Sequence, residues 1–214
     1  MLDPGPAPID RRRERGRRTR EAILETAASI ASVEGLERLT IGRLARELAM
    51  SKSGLFAHFG SKEELQVATV QAARTVFEHT VLAPSQQAVP GLPQLRALIA
   101  AWLAYLGVGV FPGGCFFVGV RAEFDSREDG PVRRAIAEDH EGWLQLLERH
   151  VVAAQRAGHL GAEVEARQLA FEIDALGSAA HVHFQLSGDR AVLARAETAI
   201  EARLRGLAAV PLAP

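Results

Sequence analysis

The segment from Thr40 to Phe59, TIGRLARELAMSKSGLFAHF, predicts two short helices joined by a tight turn. Thr40 and Ser51 carry side chains that cap helix N-termini, and each begins a run with helical apolar spacing. The apolar face of the first helix is formed by Ile41, Leu44, Ala45 and Leu48. Two helices of this length joined in this way are typical of a helix-turn-helix unit.

The second helix begins with small or polar residues, which are Ser51, Lys52, Ser53 and Gly54. A helix without bulk in its first turn can place its backbone deep in the major groove of DNA, which is about 12 Å wide. Its free N–H groups and the positive end of its dipole then favour nearby phosphates. The first helix would present Arg43 outward. The alternative is a small helical subdomain with a polar surface.

Helical patterns also flank this pair. Apolar residues at steps of three and four predict a first helix between Thr19 and Gly35. Ser61 and Glu64 form a capping box for a fourth helix, expected to end near Leu82. A proline-rich linker is predicted at 84–93, and five helical patterns follow it at about 95–107, 115–124, 131–156, 163–186 and 189–207. The sequence therefore predicts an all-α fold of about nine helices.

The charge is unevenly distributed, although the net charge is only −1. Residues 1–60 hold 11 Lys and Arg against 8 Asp and Glu, and the other residues hold 14 against 18. Seven arginines lie between Arg11 and Arg20. This basic segment indicates a polyanionic partner at one end of the molecule, and the alternative is a solubilising tail.

Composition and motifs exclude several classes of protein. A 48% hydrophobic content excludes a disordered chain, and the single cysteine, Cys115, cannot form an internal disulfide. No apolar run reaches the roughly 18–20 residues of a membrane span, so we expect a cytoplasmic protein. The chain has no P-loop and no Gly-x-Ser-x-Gly motif, and His140-Glu141 lacks the second histidine of a zinc hydrolase. We therefore expect no enzymatic activity, no metal and no cofactor.

Residues 20–67 resemble the DNA-binding domain of the TetR/AcrR family of bacterial transcription regulators. The run Leu55-Phe-Ala-His-Phe-Gly-Ser-Lys-Glu-Glu-Leu65 carries the resemblance. It implies three parts: a flexible basic arm at 1–18, a helix-turn-helix DNA-binding domain at 19–65, and an effector-binding and dimerisation domain at 66–214. The two latter domains would make the chain a homodimeric repressor that a small-molecule effector releases from double-stranded operator DNA.

The resemblance, together with the exposed basic residues, implies a set of DNA contacts. The set is Thr40, Arg43, Ser51, Lys52, Ser53, Gly54, Phe56, His58 and Lys62, with Arg17 and Arg18 from the arm. Phe56 stands where the family usually has tyrosine, and Gly42 stands where some members have a base-reading arginine. These departures leave open an alternative function, a small-molecule-binding helical protein that has lost operator recognition.

The resemblance also implies an effector pocket among aromatic residues in the middle of the chain. The candidate lining is Trp102, Tyr105, Phe116, Phe117 and Trp143, with Arg121, Glu123 and His140 as polar anchors. The alternative is that these aromatic residues form an ordinary core.

Small residues between Ala175 and Ala180 predict a surface on which helices approach closely. Such a surface suits tight packing within the chain or a subunit interface. Because the last two helices of the family usually pair with their twins, the resemblance implies an interface that includes Leu176, Ala179, Ala180 and His183.

Overall fold

The computed structural model describes residues 11–209, and nine helices occur within that range. They are α1 (Arg11–Glu34), α2 (Ile41–Glu47), α3 (Lys52–Phe59), α4 (Lys62–Phe77), α5 (Leu92–Val108), α6 (Phe116–Phe124), α7 (Pro131–Arg156), α8 (Ala166–Ser187) and α9 (Ala191–Gly206). The only β-structure in the described range is an isolated antiparallel bridge between Leu160 and Ala208. The predicted all-α fold is confirmed.

Helix α1 begins earlier than the sequence predicted. Residues 11–18 are helical, so the prediction of a flexible arm is wrong for them, while residues 1–10 of that arm lie outside the described range. Ion pairs one turn apart join Glu14 to Arg17 and Arg18, and Arg17 to Glu21. Such pairs support the first turns of the helix, which have no apolar face. The apolar spacing used for the prediction begins only at Ile23, so it missed the charged first turns.

The N-terminal part is a three-helix unit that packs on α4. Helix α1 buries Ile23, Ala27 and Ala31 against α4, and the fully buried Leu44 and Leu55 anchor α2 and α3. Predicted caps form at each start, because the side chains of Thr40, Ser51 and Ser61 accept hydrogen bonds from backbone N–H groups three residues later. These caps explain why three short helices begin where the sequence indicated.

Helix α4 joins this unit to the C-terminal part. It continues through a π-helical turn, Glu78–Leu82, and a final α-helical turn, Ala83–Ser85. The helix contacts α1 on one side and α7 on the other. A displacement of α4 would therefore change packing contacts in both parts of the molecule.

The C-terminal part is a bundle of α5 to α9. Helix α8 packs along both α7 and α9, and α5 lies against α7 and α9 as well. Leu147, Val151, Ile173 and Ile200 form part of its core. The predicted helix at 131–156 is confirmed at both ends, and the others differ by a few residues. None of the described helices is long and apolar enough to span a membrane.

Candidate nucleic-acid interface and internal cavity

Helix α3 has one buried side and one exposed side. Leu55 and Phe59 are buried, whereas Lys52, Ser53 and Phe56 are exposed, with 56% of Phe56 accessible to solvent. The turn before α3 contains Ala49 at a φ of 51°, which lets two short helices meet closely. The predicted outward edge of the second helix is therefore exposed and reachable by a duplex.

Lys52 is the cation on this edge of α3 that can contact DNA without first leaving a carboxylate partner. It is exposed and forms no ion pair with any other described residue. A Cβ atom added to Gly42 would lie 3.5 Å from Cε of Lys52, so the lysine side chain runs across the glycine. With Ile41, Ser53 and Phe56, these two residues line an open depression between α2 and α3. A compact positive charge beside an exposed ring is suited to a phosphate next to a base edge.

Thr40, Ser51 and Gly54 are engaged in helix capping. The Ser51 hydroxyl accepts from the Gly54 N–H at 3.1 Å, and the Thr40 hydroxyl accepts from the Arg43 N–H at 3.0 Å. A Cβ on Gly54 would lie 3.1 Å from the Ser51 oxygen, so glycine keeps this cap uncrowded. The Thr40 hydroxyl still has its own proton to offer a phosphate, whereas the Ser51 hydroxyl also lies 3.3 Å from the Ser53 hydroxyl.

Other predicted DNA contacts are held in ion pairs. Arg43 donates to Glu34 at 2.7 Å and to Glu47 at 2.8 Å, and Lys62 donates to Glu37 at 2.6 Å. These contacts lower the pKa of Glu34 and of Glu37. The expectation that Arg43 simply points outward is therefore wrong, because its guanidinium ties α2 to the end of α1.

The basic residues of α1 are also paired. Arg17 and Arg18 both donate to Glu14, and together they lower the pKa of that carboxyl to about 2. Arg20, which the sequence analysis missed, donates to the backbone oxygen of His58 at 2.7 Å and lies 4.5 Å from the centre of the Phe59 ring. Arg20 therefore fixes the end of α3 against α1, and the half-buried His58 lies at that junction.

A small cavity lies inside the C-terminal bundle. It has a volume of about 30 Å³, and its lining is Phe77, Trp102, Cys115, Phe117, Arg121, Asp139, His140, Trp143 and Asp174. The Phe77 ring packs edge to face on Trp143 at 5.4 Å, and Trp143 lies 5.1 Å from Trp102. The structure thus brings together five of the predicted effector residues: Trp102, Phe117, Arg121, His140 and Trp143.

Arg121 organises the polar wall of the cavity. Its guanidinium contacts Nδ1 of His140, donates to Ser178 at 3.1 Å, and lies 3.4 Å from Asp174. Asp174 also accepts from Nε1 of Trp143 at 3.0 Å. Because arginine stays protonated, Nδ1 of His140 must accept, so Nε2 carries the ring proton. Burial, reinforced by Arg121, lowers the pKa of His140 and keeps the ring neutral.

A second carboxyl group lies beside this cluster. Asp139 is paired with Arg74 at 3.0 Å, yet burial raises its pKa to about 6. Burial also raises the pKa of the Cys115 thiol, which keeps this cysteine protonated and unreactive.

Three predicted effector residues lie elsewhere. Tyr105 and Phe116 are buried core residues outside the cavity lining. Glu123 reaches the N-terminal part, where its carboxylate accepts from the backbone N–H groups of Leu36 and Glu37. The prediction that Glu123 anchors an effector in this cavity is wrong, because its carboxylate holds the Leu36–Glu37 loop and does not line the cavity.

The sequence analysis missed four residues of the cavity wall, which are Phe77, Cys115, Asp139 and Asp174. Asp174 follows Ile173 on α8 and lies one turn before Gly177, within an apolar stretch of buried residues. A carboxylate on the buried face of a helix needs a cationic partner, and this signal was present in the sequence. Among the described residues, no cluster of His, Cys, Asp or Glu could hold a metal ion.

Comparison with known proteins agrees with this architecture. Residues 23–69 match the family of bacterial regulatory proteins called tetR, and residues 91–200 match the tetracyclin repressor-like C-terminal domain. The chain belongs to the TetR family. These matches confirm the predicted family and the function class of that family, DNA-binding transcriptional regulation.

Individual TetR-family relatives are distant. The regulator TcmR of Streptomyces glaucescens is 29% identical over 96 residues, which cover 45% of this chain and 41% of TcmR. A TetR regulator from Chloroflexus aurantiacus superposes with a TM-score of 0.84 at 21% identity, covering 91% of this chain and 98% of that one. A Cytophaga hutchinsonii regulator gives 0.79 at 20% identity, with coverage of 89% and 95%. At these identities the solved structures establish the fold.

The residues predicted to form a TetR-type dimer interface are only partly exposed. Ala179 and His183 are exposed and Leu176 is half-buried, but Ala180 is buried inside its own chain. Gly177 is also used internally, since a Cβ there would lie 2.3 Å from the Trp102 ring. The prediction for Ala180 is therefore wrong, because the small residues on this side of α8 serve packing within the chain.

Proposed function

We propose that this protein is a homodimeric repressor that binds operator DNA through α2 and α3 and is released by a small-molecule effector. Family membership and the exposed edge of α3, with Lys52, Ser53 and Phe56, support operator binding. The protein acts in the cytoplasm, where operator DNA is found, and it performs no enzymatic reaction.

Operator binding is tested with the DNA upstream of the protein's own gene. An electrophoretic shift at stated salt should appear at nanomolar protein and resist unrelated competitor DNA. The affinity should fall steeply as salt rises, because phosphate contacts release counterions. A shift that unrelated DNA abolishes equally well would favour the alternative, a small-molecule-binding protein that has lost operator recognition.

The cavity supports a small effector that has an apolar or aromatic body and a polar group able to bind the Arg121 cluster. Its volume of about 30 Å³ is far below the roughly 300–1,000 Å³ of drug-sized ligand pockets, so binding must displace the packed rings of Phe77, Trp102 and Trp143. A groove of about 260 Å³ between α4 and α7 shares Phe77, Phe117, Asp139 and Trp143 with the cavity. Displacement of the Phe77 and Trp143 rings would join the two spaces.

Tryptophan fluorescence gives a direct test of effector binding. The chain has two tryptophans, and both line the cavity. Candidate small molecules should therefore change the emission spectrum when they bind, and the same molecules should weaken the shift of upstream DNA. A molecule that changes the emission and leaves operator affinity unchanged would contradict release by this cavity.

Dimerisation is supported by an exposed apolar stripe on α8. Phe171 is 58% exposed, Val182 48% and Leu186 84%, and all three lie on one side of the helix with Ala175 and Ala179. Leu186→Glu should shift the dimer toward monomer in sedimentation while leaving the helical content unchanged. Val89→Glu is the matched control, because Val89 is 69% exposed outside α8. Equal sedimentation of both variants would place the interface elsewhere.

A further inference from the structure

We propose that Glu123 is a positioning residue that couples the cavity of the C-terminal bundle to the loop before α2. This inference rests on the proposed function, since it concerns how an occupied cavity would act on the DNA-facing helices. The route runs through α6, a nine-residue helix.

One end of the route is a carboxylate that holds a loop. The two oxygens of Glu123 accept from the N–H groups of Leu36 at 2.7 Å and Glu37 at 3.0 Å. Gly35 makes this approach possible, because its φ is +89° and a Cβ there would lie 2.7 Å from Oε1 of Glu123. The loop backbone is therefore shaped around this one carboxylate from the other part of the molecule.

The loop in turn positions the DNA-facing helices. Leu36 and Leu39 are fully buried, and α2 begins immediately afterwards at its Thr40 cap. Helix α4 also holds the loop, because Gln66 donates to the Leu36 carbonyl at 2.7 Å. The start of α2 is thus fixed by two independent supports, one from α4 and one from Glu123 on α6.

The other end of the route lies in the cavity wall. Arg121, two residues before Glu123, is bound to Ser178 and Asp174 of α8 and to His140 of α7. A ligand that displaces these partners would shift Arg121, and a helix this short moves as a unit. Contiguous hydrogen-bonded side chains on a rigid element are a physical path by which one site biases another.

The segment before α6 adds a steric contact to the same junction. The Gly113 N–H donates to the Ser32 hydroxyl at 3.1 Å. A Cβ on Gly113 would lie 1.8 Å from the Ser32 carbonyl oxygen, so the two backbones are in direct contact. Movement of α6 is therefore transmitted to the end of α1 as well as to the loop.

The test measures amide hydrogen exchange at Leu36 and Glu37 in the full-length protein. Glu123→Gln keeps the side-chain size but replaces one acceptor oxygen with an NH₂ group that faces an N–H group. Exchange at the two amides should become about tenfold faster, as expected when a hydrogen bond to a charged group is lost. Glu138→Gln is the matched control, because Glu138 is exposed on α7 and makes no hydrogen bond with a described residue.

Coupling is separated from a merely structural role by a second change in the cavity wall. The first cavity variant is Gly177→Ala, which would force the Trp102 ring to shift. If Gly177→Ala does not fold, Trp143→Phe is used in its place, because it removes the hydrogen bond from Trp143 to Asp174. In the wild-type background the cavity variant should speed exchange at Leu36 and Glu37 at least threefold. In the Glu123→Gln background, the cavity variant should increase the two exchange rates by less than half of the factor that it produces in the wild-type background.

Two results would overturn the inference. Unchanged exchange in Glu123→Gln would show that the carboxylate does not hold the loop. An equal effect of the cavity variant with and without Glu123 would show that the coupling does not run through Glu123 and would assign it to α4 or to the Gly113–Ser32 contact. Binding of upstream DNA is measured separately, so a wild-type protein that binds no DNA refutes the proposed function and leaves the exchange result standing.

Discussion

The two parts of the molecule differ in how far their ion pairs are exposed to solvent. In the N-terminal part, Lys62 and Glu37 form a pair whose side chains are 39% and 40% exposed. In the C-terminal bundle, Arg121 and Asp174 are 21% and 12% exposed and share Ser178 as a further partner. The first pair lies at the surface on which DNA is proposed to bind, and the second lines the cavity.

The difference determines what each set of charges can do. An exposed ion pair contributes little to folding, so a phosphate can replace its carboxylate at small cost. A buried pair cannot be opened without leaving a desolvated charge, so it changes only when another partner enters the cavity. Lys62 is therefore exchangeable, whereas the Arg121 cluster responds to a ligand.

The strongest test of the comparison removes the buried carboxylate. Asp174→Asn should lower the free energy of unfolding by about 3 kcal/mol, because Arg121 would remain desolvated without a counter-charge. Urea titration measures the loss. Asp129→Asn is the control, since Asp129 forms an exposed pair with Arg134 and its removal should cost less than about 1 kcal/mol. Similar losses of unfolding free energy in both variants would show that the buried pair is no more important for stability than an exposed pair.

A second test uses the pH dependence of stability at Asp139. Burial raises the pKa of this carboxyl to about 6, above its ordinary 3.8. The folded state therefore binds the proton more tightly, so this group favours folding most below pH 3.8 and loses that contribution as the pH rises through 6. Asp139→Asn should gain stability relative to wild type on going from pH 4.5 to pH 8, by on the order of 2 kcal/mol. A constant difference between the two proteins at both pH values would contradict this assignment.

A third test compares an unpaired cation with a paired one. Lys52→Ala should weaken operator binding by about tenfold or more and reduce the salt slope by about one. Arg43→Gln should weaken it by less than roughly threefold, because Arg43 must release Glu34 and Glu47 before it can contact a phosphate. The measurement is an affinity series from low to high salt. A larger effect of Arg43→Gln would show that its carboxylate partners give way readily to DNA.

Local features of the fold were predictable from the sequence. The caps at Thr40, Ser51 and Ser61 and the helix at 131–156 follow from side chains within a few residues, so short-range chemistry determines them. The start of α1 was missed because ion pairs, rather than apolar spacing, support its first turns.

Long-range contacts were not predictable in the same way. Glu123 meets Leu36 and Glu37 across 86 to 87 positions of sequence, and Lys62 meets Glu37 across 25. No helical spacing encodes such partners, so the sequence predicted neither the carboxylate that pairs with Lys62 nor the loop that Glu123 holds. The cavity was better anticipated, because aromatic residues concentrate on helices that must pack together. Its carboxylates were missed, although Asp174 on a buried helical face gave a signal.

The smallest expected effect concerns the exposed pair between Lys62 and Glu37. Lys62 lowers the pKa of Glu37 below its ordinary 4.5, so the pair stabilises the fold above that pH and loses its effect as the pH falls through the lowered value. Lys62→Gln should cost about 0.5 kcal/mol of unfolding free energy at pH 7, less in high salt, and nothing in acid.

Urea unfolding at pH 7 and at pH 3, each with and without added salt, would measure this contribution. The Lys62→Gln penalty should shrink in both acid and salt, because screening and protonation each remove the charge attraction. A penalty near 3 kcal/mol that resists salt would mean that Lys62 is as firmly held as Arg121. Lys62 would then be a fixed part of the fold, and DNA could not recruit it by replacing its carboxylate with a phosphate.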